Sequence, residues 1–193
     1  SAELIPMLES AIAASLIEAR DNVYAFSNQA IQKALYESIS GPVRQEHHRW
    51  LADLFSDRPE PRAWHLQQAG ETGEAARAWL DAAHLAERAF SNVDAVQLFT
   101  HAAAAAAASN DSRTLGAALI GRGVVHTELG NYSLATADHL DAERLAISTG
   151  DRSQRARAVE RLGWTAYYER DVTTAIARAE EAVSMPGAHP SAW

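Results

Sequence analysis

Small residues recur every 40 positions along most of this chain, and that period constrains the fold more than any other feature. Three sets of positions share the period: Ala95, Ala135 and Ala175; Ala102, Ala142 and Ala182; and Ala83, Gly123 and Gly163. Closely packed helices need small side chains at such places, because a bulky one would push the helices apart. The period therefore predicts pairs of helices that repeat along the chain.

Alanine makes up 41 of the 193 residues, against ten Gly and six Pro. Alanine is the best helix former, and β-branched and aromatic residues are too sparse here to build a large sheet. The breaks between predicted helices fall at 70–73, 90–92, 109–112, 130–131, 150–151, 170–171 and 186–187. These observations predict an all-α fold, with one short β-hairpin around Asp21 and Asn22.

Charge and cysteine content exclude several classes of function. The chain has a net charge of -8, with Lys33 as its single lysine, which argues against general affinity for DNA or anionic membranes. It has no Cys, and therefore no disulfide, thiolate zinc site or cysteine nucleophile. The longest apolar run, Ala102 to Ala108, is far too short to span a bilayer. We expect a cytoplasmic protein that does not enter membranes.

The sequence from 1 to 57 predicts a separate segment that precedes a repeat region at 58–193. A helix is predicted over 3–14, and a second one over Asn28–Ile39 with Ser27 as its N-cap. The expected buried residues of that second helix are Ala30, Ile31, Ala34 and Leu35. A third helix from Pro42 to Phe55 is expected to bury Val43, His47, Trp50, Leu51 and Leu54. Two prolines between 57 and 61 favour a linker.

The periodic pattern resembles the tetratricopeptide repeat, in units longer than that family's usual length of about 34 residues. The resemblance covers units of about 76–115, 116–155 and 156–193, with a half-unit at 62–75. Tyr132 follows Gly130 and Asn131 as the aromatic that opens a second helix, whereas Val172 stands at that place in the last unit. The resemblance implies a right-handed α-α superhelix.

The N-terminal segment resembles the passage that follows the nucleotide-binding module in bacterial signal-transduction ATPases of the STAND type. The matching residues are Tyr24, Phe26, Ile31, Ala34, Leu35, Tyr36, Arg44, His48, Leu51 and Ala52. The resemblance implies a partial winged-helix segment. In that family a P-loop ATPase precedes it, and a LuxR-type helix-turn-helix often follows the repeats. It also implies that this chain is a fragment.

Neither catalysis nor metal binding is predicted. The sequence has no Gly-x-x-x-x-Gly-Lys-Ser/Thr loop and no Gly-x-Ser-x-Gly elbow, so ATP hydrolysis and serine nucleophile chemistry have no motif. His47 and His48 are adjacent, and neighbouring side chains on a helix point about 100° apart, so the two cannot chelate one ion. We expect no cofactor, no metal and no enzymatic activity.

The repeat resemblance places the first helix of each unit on a concave groove. Carried over to this sequence, its face positions are Arg77, His84 and Glu87, then Ile120, Val124 and Thr127, then Arg157, Trp164 and Tyr167. Exposed Trp, Tyr and Arg are enriched among residues that dominate binding. Trp164 and Tyr167 have an alternative role in packing between repeats. The run of Arg152, Arg155, Arg157 and Arg161 is either a solvated helix start or a contact for an anion or acidic peptide.

Three functions from different classes follow from these patterns. The leading hypothesis is a non-catalytic regulatory or sensor fragment of a STAND-type transcriptional activator, which binds a small-molecule inducer or a protein partner in the groove. The alternative is a stand-alone tetratricopeptide-type scaffold that binds a peptide or protein. A third hypothesis, direct nucleic-acid binding through Arg44 and Arg49, conflicts with the overall acidity, and we expect no direct nucleic-acid contact.

Overall fold

The computed structural model describes residues 4–20 and 23–185, and these residues form ten helices and one antiparallel β-hairpin. The all-α prediction with one small hairpin is confirmed. The elements are α1 Leu4–Ala13, β1 Ile17–Arg20, β2 Val23–Phe26, α2 Gln29–Ser38, α3 Gly41–Leu54, α4 Pro59–Ala69, α5 Thr72–Arg88, α6 Asn92–Ala108, α7 Ser112–Glu128, α8 Tyr132–Thr149, α9 Arg152–Tyr168 and α10 Val172–Ser184. No described helix is both long and apolar enough to cross a membrane.

The chain divides into two compact units, one up to His47 and one from His48 onward. The first unit contains the hairpin, in which Ile17 pairs with Phe26 and Arg20 pairs with Val23. None of its described residues is buried, although it carries large apolar side chains such as Leu4, Ile5 and Met7.

The predicted cap of α2 is wrong. The N-cap is Asn28, whose side-chain oxygen accepts a hydrogen bond from the backbone N–H of Ala30 at 2.7 Å. Ser27 instead donates its hydroxyl to the backbone carbonyl of Ser15. Both residues are good caps by type, and the hairpin decides between them because it turns the Ser27 side chain toward the loop that precedes β1.

The predicted buried faces of α2 and α3 are also wrong. Ala30, Ala34 and Leu35 are exposed and Ile31 is only half-buried. On α3 the same holds for Val43, His47, Trp50 and Leu54, which are exposed, and for Leu51, which is half-buried. The buried residues of α3 are His48 and Ala52. An apolar stripe predicts burial only where a second element covers it, and in the described residues α4 covers a different face of α3.

The second unit is built on alanine. Each helix from α4 to α10 packs on the next, and α5 also contacts α7 while α7 contacts α9. Its largest core cluster contains mostly alanine, together with a few larger side chains: Leu66, Trp79, Leu98, Phe99 and Val125. Small side chains let the helix backbones approach closely, so a wide apolar interface forms with few bulky residues.

Helix starts in the second unit follow the period seen in the sequence. The first helices of the pairs, α5, α7 and α9, begin at Thr72, Ser112 and Arg152, and the second helices begin at Asn92, Tyr132 and Val172. One residue with positive φ lies in each turn: Gly70, Phe90, Asn110, Gly130, Gly150 and Arg170. Successive turns therefore share one backbone geometry, whether or not glycine is present.

Two glycines of the second unit mark places where helices touch. A Cβ added to Gly121 would collide with the Phe99 ring, and one added to Gly123 would collide with the His139 ring. Gly163, which follows Gly123 by one period, has more room, since a Cβ there would lie 3.5 Å from its nearest neighbours. The same small residue is a steric requirement in one pair of helices and not in the next.

Candidate functional site

The residues predicted to line one groove lie in several places on the second unit. Arg77 and Arg157 share a cavity at the N-terminal ends of α5, α7 and α9. His84 pairs with Glu87 on α5, with His84 Nδ1 2.9 Å from the Glu87 carboxylate. Ile120 is buried in the core against Ala142 and Ala158, so it lines no groove.

The remaining predicted residues meet at the C-terminal half of α7 and α9. Val124, Thr127 and Trp164 line one cavity of about 600 Å³, and the Tyr167 ring lies 6.0 Å from that of Trp164. The full lining of this cavity, which we call the α7–α9 cavity, is Val124, Thr127, Glu128, Tyr132, His139, Glu160, Arg161, Trp164 and Tyr168. Its volume lies within the range of about 300–1,000 Å³ that small-molecule and side-chain pockets occupy.

The inner wall of the α7–α9 cavity is a buried histidine. His139 is 1% exposed, and its ring packs on the Cα of Gly123. Burial lowers the pKa of His139 to about 4, with a further lowering from the positive charge of Arg161. The imidazole is therefore neutral at pH 7.

Two threonines join this wall to α7 and α9. The Thr165 hydroxyl lies 3.4 Å from His139 Nδ1 and 3.0 Å from the Thr127 hydroxyl. Thr127 also donates to the carbonyl of Gly123 at 2.9 Å. These contacts tie three helices together at the base of the cavity, which makes its inner wall a rigid surface.

The outer wall is aromatic. Trp164 is half-buried and Tyr168 is exposed, and their ring centres lie 6.4 Å apart with a tilt of 33°. Tyr132 reaches the cavity from the start of α8. Rings of this kind offer both apolar area and a negative π face to an occupant.

Three charged groups complete the lining. Glu128 is exposed, and Glu160 and Arg161 are half-buried. Across the described ranges, none of the three takes part in an ion pair or a side-chain hydrogen bond, whereas Arg155 on the same helix is held by Glu143 and Glu181. Charged side chains that line a cavity without a protein partner remain available to a ligand.

The sequence did not indicate six of these lining residues as groove positions: Glu128, Tyr132, His139, Glu160, Arg161 and Tyr168. Tyr132 was visible only as the aromatic that opens a helix. A signal for His139 did exist, because it lies one period after the core residue Phe99. A polar ring at a core position indicates either a buried hydrogen bond or a site.

A second, apolar cavity of about 480 Å³ lies between α9 and α10. Trp164 lines it as well, together with Tyr167, Val172 and Ile176. Three of these residues follow α7–α9 cavity positions by one period: Trp164 follows Val124, Tyr167 follows Thr127, and Val172 follows Tyr132. The two cavities are therefore equivalent positions in consecutive helix pairs.

A cluster of rings joins α3 to α4 in the second unit. His48 Nδ1 lies 2.8 Å from His65 Nδ1, and Phe55 stacks on His65 at 5.5 Å. Burial, followed by repulsion from His48, lowers the pKa of His65. One ring must donate and the other accept, so the pair does not carry two charges. Within 4–20 and 23–185, no three His, Cys, Asp or Glu side chains are placed to hold a metal ion.

Comparison with known proteins adds no identification. No family matches the chain, and no curated protein matches it.

Proposed function

We propose that the second unit is a tetratricopeptide-like right-handed superhelix that binds a peptide segment of a protein partner in the α7–α9 cavity. The contacts of α5 with α7 and of α7 with α9 support this arrangement, because they put the first helices of successive pairs on one side. The observation that carries the binding function is the cavity itself, with three aromatic residues and three charged groups that lack a partner among the described residues.

We further propose that this chain is a non-catalytic regulatory or sensor fragment of a STAND-type transcriptional regulator. The resemblance of residues 3–55 supports that proposal. So do the exposed apolar side chains of the first unit, such as Val23, Tyr24 and Phe26, since a surface of this kind is typical of one that packs on other protein. Sequencing of the gene on both sides tests it: a P-loop ATPase upstream and a helix-turn-helix downstream are expected, and a gene that encodes neither would refute it.

The alternative is a stand-alone scaffold. Every residue that lines the α7–α9 cavity lies between 124 and 168, in the second unit, so binding there needs no residue from the first. In this alternative the gene encodes no ATPase, yet the cavity still binds its partner.

The binding function is tested with a paired substitution. Trp164→Ala with Tyr168→Ala removes most of the aromatic wall, and we expect at least about a tenfold weaker affinity for a partner recovered with the wild-type chain, because such residues dominate binding energy. Ile147→Ala, at an exposed position on α8 away from the cavity, is the matched control and should bind normally. If the paired variant keeps its helical signal and its unfolding midpoint but binds as tightly as wild type, the cavity is not the binding site.

A further inference from the structure

The lining of the α7–α9 cavity favours one kind of occupant. We propose that it binds the cationic side chain of a lysine or arginine in a partner peptide, an inference that rests on the proposed function and names its ligand chemistry. Three features of the lining favour a cation: the aromatic wall, the two carboxylates and the position of the single arginine.

The aromatic wall of the cavity can hold a cation. Trp164, Tyr168 and Tyr132 line the cavity on α9 and α8. A cation within about 6 Å of the face of such a ring is attracted by its electrons, and Trp is the best ring for this contact. The aliphatic stem of a lysine or arginine would also cover apolar ring area as it enters.

The charges that line the cavity also favour a cation. Glu128 and Glu160 line the cavity and make no ion pair in the described part of the chain, so each can pair with an incoming cation. With Arg161, the lining has a formal charge of -1, since His139 is neutral at pH 7. The whole chain has a net charge of -8, which steers cationic segments toward it.

Arg161 is the feature that would favour an anion instead. It is half-buried and lines the cavity from α9. An anion that reached Arg161 would share the cavity with two carboxylates and would meet no second cation there, because the buried imidazole is uncharged. Arg161 is better suited to donate to a peptide carbonyl oxygen next to the bound side chain.

The equivalent cavity one period later does not share these properties. Glu128 corresponds to Tyr168, and the α9–α10 cavity has one carboxylate, Glu160, among apolar residues. That comparison separates the two sites: an apolar group suits the later cavity, and a cation suits the earlier one.

The test uses capped tripeptides with the full chain. N-acetylated, C-amidated Gly-Lys-Gly and Gly-Arg-Gly are titrated while NMR follows the indole N–H resonance of Trp164 and the ring resonances of Tyr132, which lines the α7–α9 cavity and not the α9–α10 cavity. The Gly-norleucine-Gly peptide is the neutral analogue, and Gly-Glu-Gly is the anionic one. Trp164→Phe assigns the resonance, and the indoles of Trp50, Trp64 and Trp79 serve as internal controls.

We expect the lysine and arginine peptides to shift the Trp164 and Tyr132 resonances, and at Tyr132 to do so with at least tenfold lower dissociation constants than norleucine. Glu128→Gln with Glu160→Gln should weaken binding of the cationic peptides about tenfold and leave norleucine unaffected. Glu169→Gln, an exposed carboxylate just beyond α9 that does not line the cavity, is the matched control and should change nothing.

Three results would overturn the inference: no shift of Trp164 or Tyr132 even at millimolar cationic peptide; equal affinity for norleucine at Tyr132; or tighter binding of the glutamate peptide. If the cationic peptides do not bind but the Trp164/Tyr168 variant loses partner binding, the proposed function stands and the cavity takes another class of ligand. If the cationic peptides bind but the Trp164/Tyr168 variant binds the partner as tightly as wild type, the ligand chemistry of the cavity is supported and the proposed function is refuted.

Discussion

The helix pairs α7/α8 and α9/α10 occupy equivalent positions in the repeat, yet they are held together differently. In α7/α8, Gly123 packs on the buried ring of His139, and Arg122 pairs with Asp138. In α9/α10, a Cβ added to Gly163 would lie at ordinary van der Waals distances from the backbone oxygen of Ala175 and the Cβ of Arg178.

The period therefore determines where the helices lie, but it does not determine which side chains fill each interface. A buried polar ring and an ion pair fill the first interface. The second interface has Ala179 where the first has His139, and Arg178 on α10 pairs with the buried Glu143 of α8 and with Glu181. Buried polar groups cost free energy when they lack or lose a partner, so the α7/α8 pair should be the more sensitive to substitution and to pH.

The largest effect is expected at the ion pair. Arg122 donates to Asp138 through Nε at 2.9 Å and through Nη2 at 2.6 Å, and Asp138 is buried. Asp138→Leu leaves the half-buried arginine without a carboxylate and should lower the free energy of unfolding by about 3 kcal/mol. Urea denaturation measures this change.

The control for that prediction places the residues of the preceding helix pair at both positions. One period earlier the two positions are Ala82 and Leu98, both buried. Arg122→Ala combined with Asp138→Leu should recover most of the lost stability and come within about 1 kcal/mol of wild type, because no unpaired charge remains. A double variant as unstable as the single one would show that the ion pair is not the cause.

Acid should destabilise the α7/α8 pair through His139. Its folded pKa of about 4 lies below the unfolded value of 6.5, so the unfolded state takes up a proton first as the pH falls. Stability is therefore fully present above pH 6.5 and declines between 6.5 and 4, by roughly 3 kcal/mol for a group of this shift.

His139→Phe, which copies Phe99 one period earlier, removes that titration. Free energies of unfolding at pH 7 and pH 4 should differ less in this variant than in wild type, by the amount assigned to His139. The lowered pKa values of His65, His126 and Asp111 act in the same direction in both proteins and cancel in the comparison. Equal pH dependence in the two proteins would contradict the prediction.

The two in-register glycines should respond with opposite signs to alanine. Gly123→Ala forces the His139 ring to move and should cost about 1–2 kcal/mol, since overpacking outweighs the gain in helix propensity. Gly163→Ala meets no close atom and should stabilise by about 0.5–1 kcal/mol. Thermal or urea unfolding of both variants measures the contrast, and a shared sign would mean that the two interfaces are alike.

Effects of about 1 kcal/mol are expected in the turns. Gly130 joins α7 to α8 with φ of 75°, and Arg170 joins α9 to α10 with φ of 66°. At positive φ, a residue with a Cβ lowers the stability of the folded state by about 1 kcal/mol relative to glycine. Gly130→Ala should therefore destabilise by about that amount and Arg170→Gly should stabilise by a similar one, as unfolding midpoints would show. No change in either variant would indicate that the turns relax.

Local patterns predicted the helix boundaries well, because they depend on residues close in sequence. The predicted breaks within 70–171 all coincide with turns in the structure, including those at Phe90 and Arg170, where no glycine is present. The prediction of buried faces failed on α2 and α3, where the exposed Trp50 and the buried His48 reversed the expected roles. Burial depends on an element that lies elsewhere in the chain, and His48 is covered by Trp64 and His65.

In the candidate site too, local sequence patterns predict some residues, while others depend on the tertiary structure. Val124, Thr127 and Trp164 could be indicated from their repeat positions, while Arg77, His84 and Glu87 lie in other clusters. The carboxylates of Glu128 and Glu160 could not be singled out, because on a helix surface an isolated Glu looks the same whether or not it lines a cavity.

The sequence alone indicated that this chain is helical, where the helices between 70 and 171 begin and end, and that its helix pairs repeat with one constant period, because propensity, turn residues and small-residue spacing act over short distances. What each interface encloses depends on contacts between helices, which the sequence pattern does not reveal. His139 became a buried neutral ring because Gly123, on the preceding helix, leaves room for it, and the α7–α9 cavity formed because three helices separated in sequence meet around that ring.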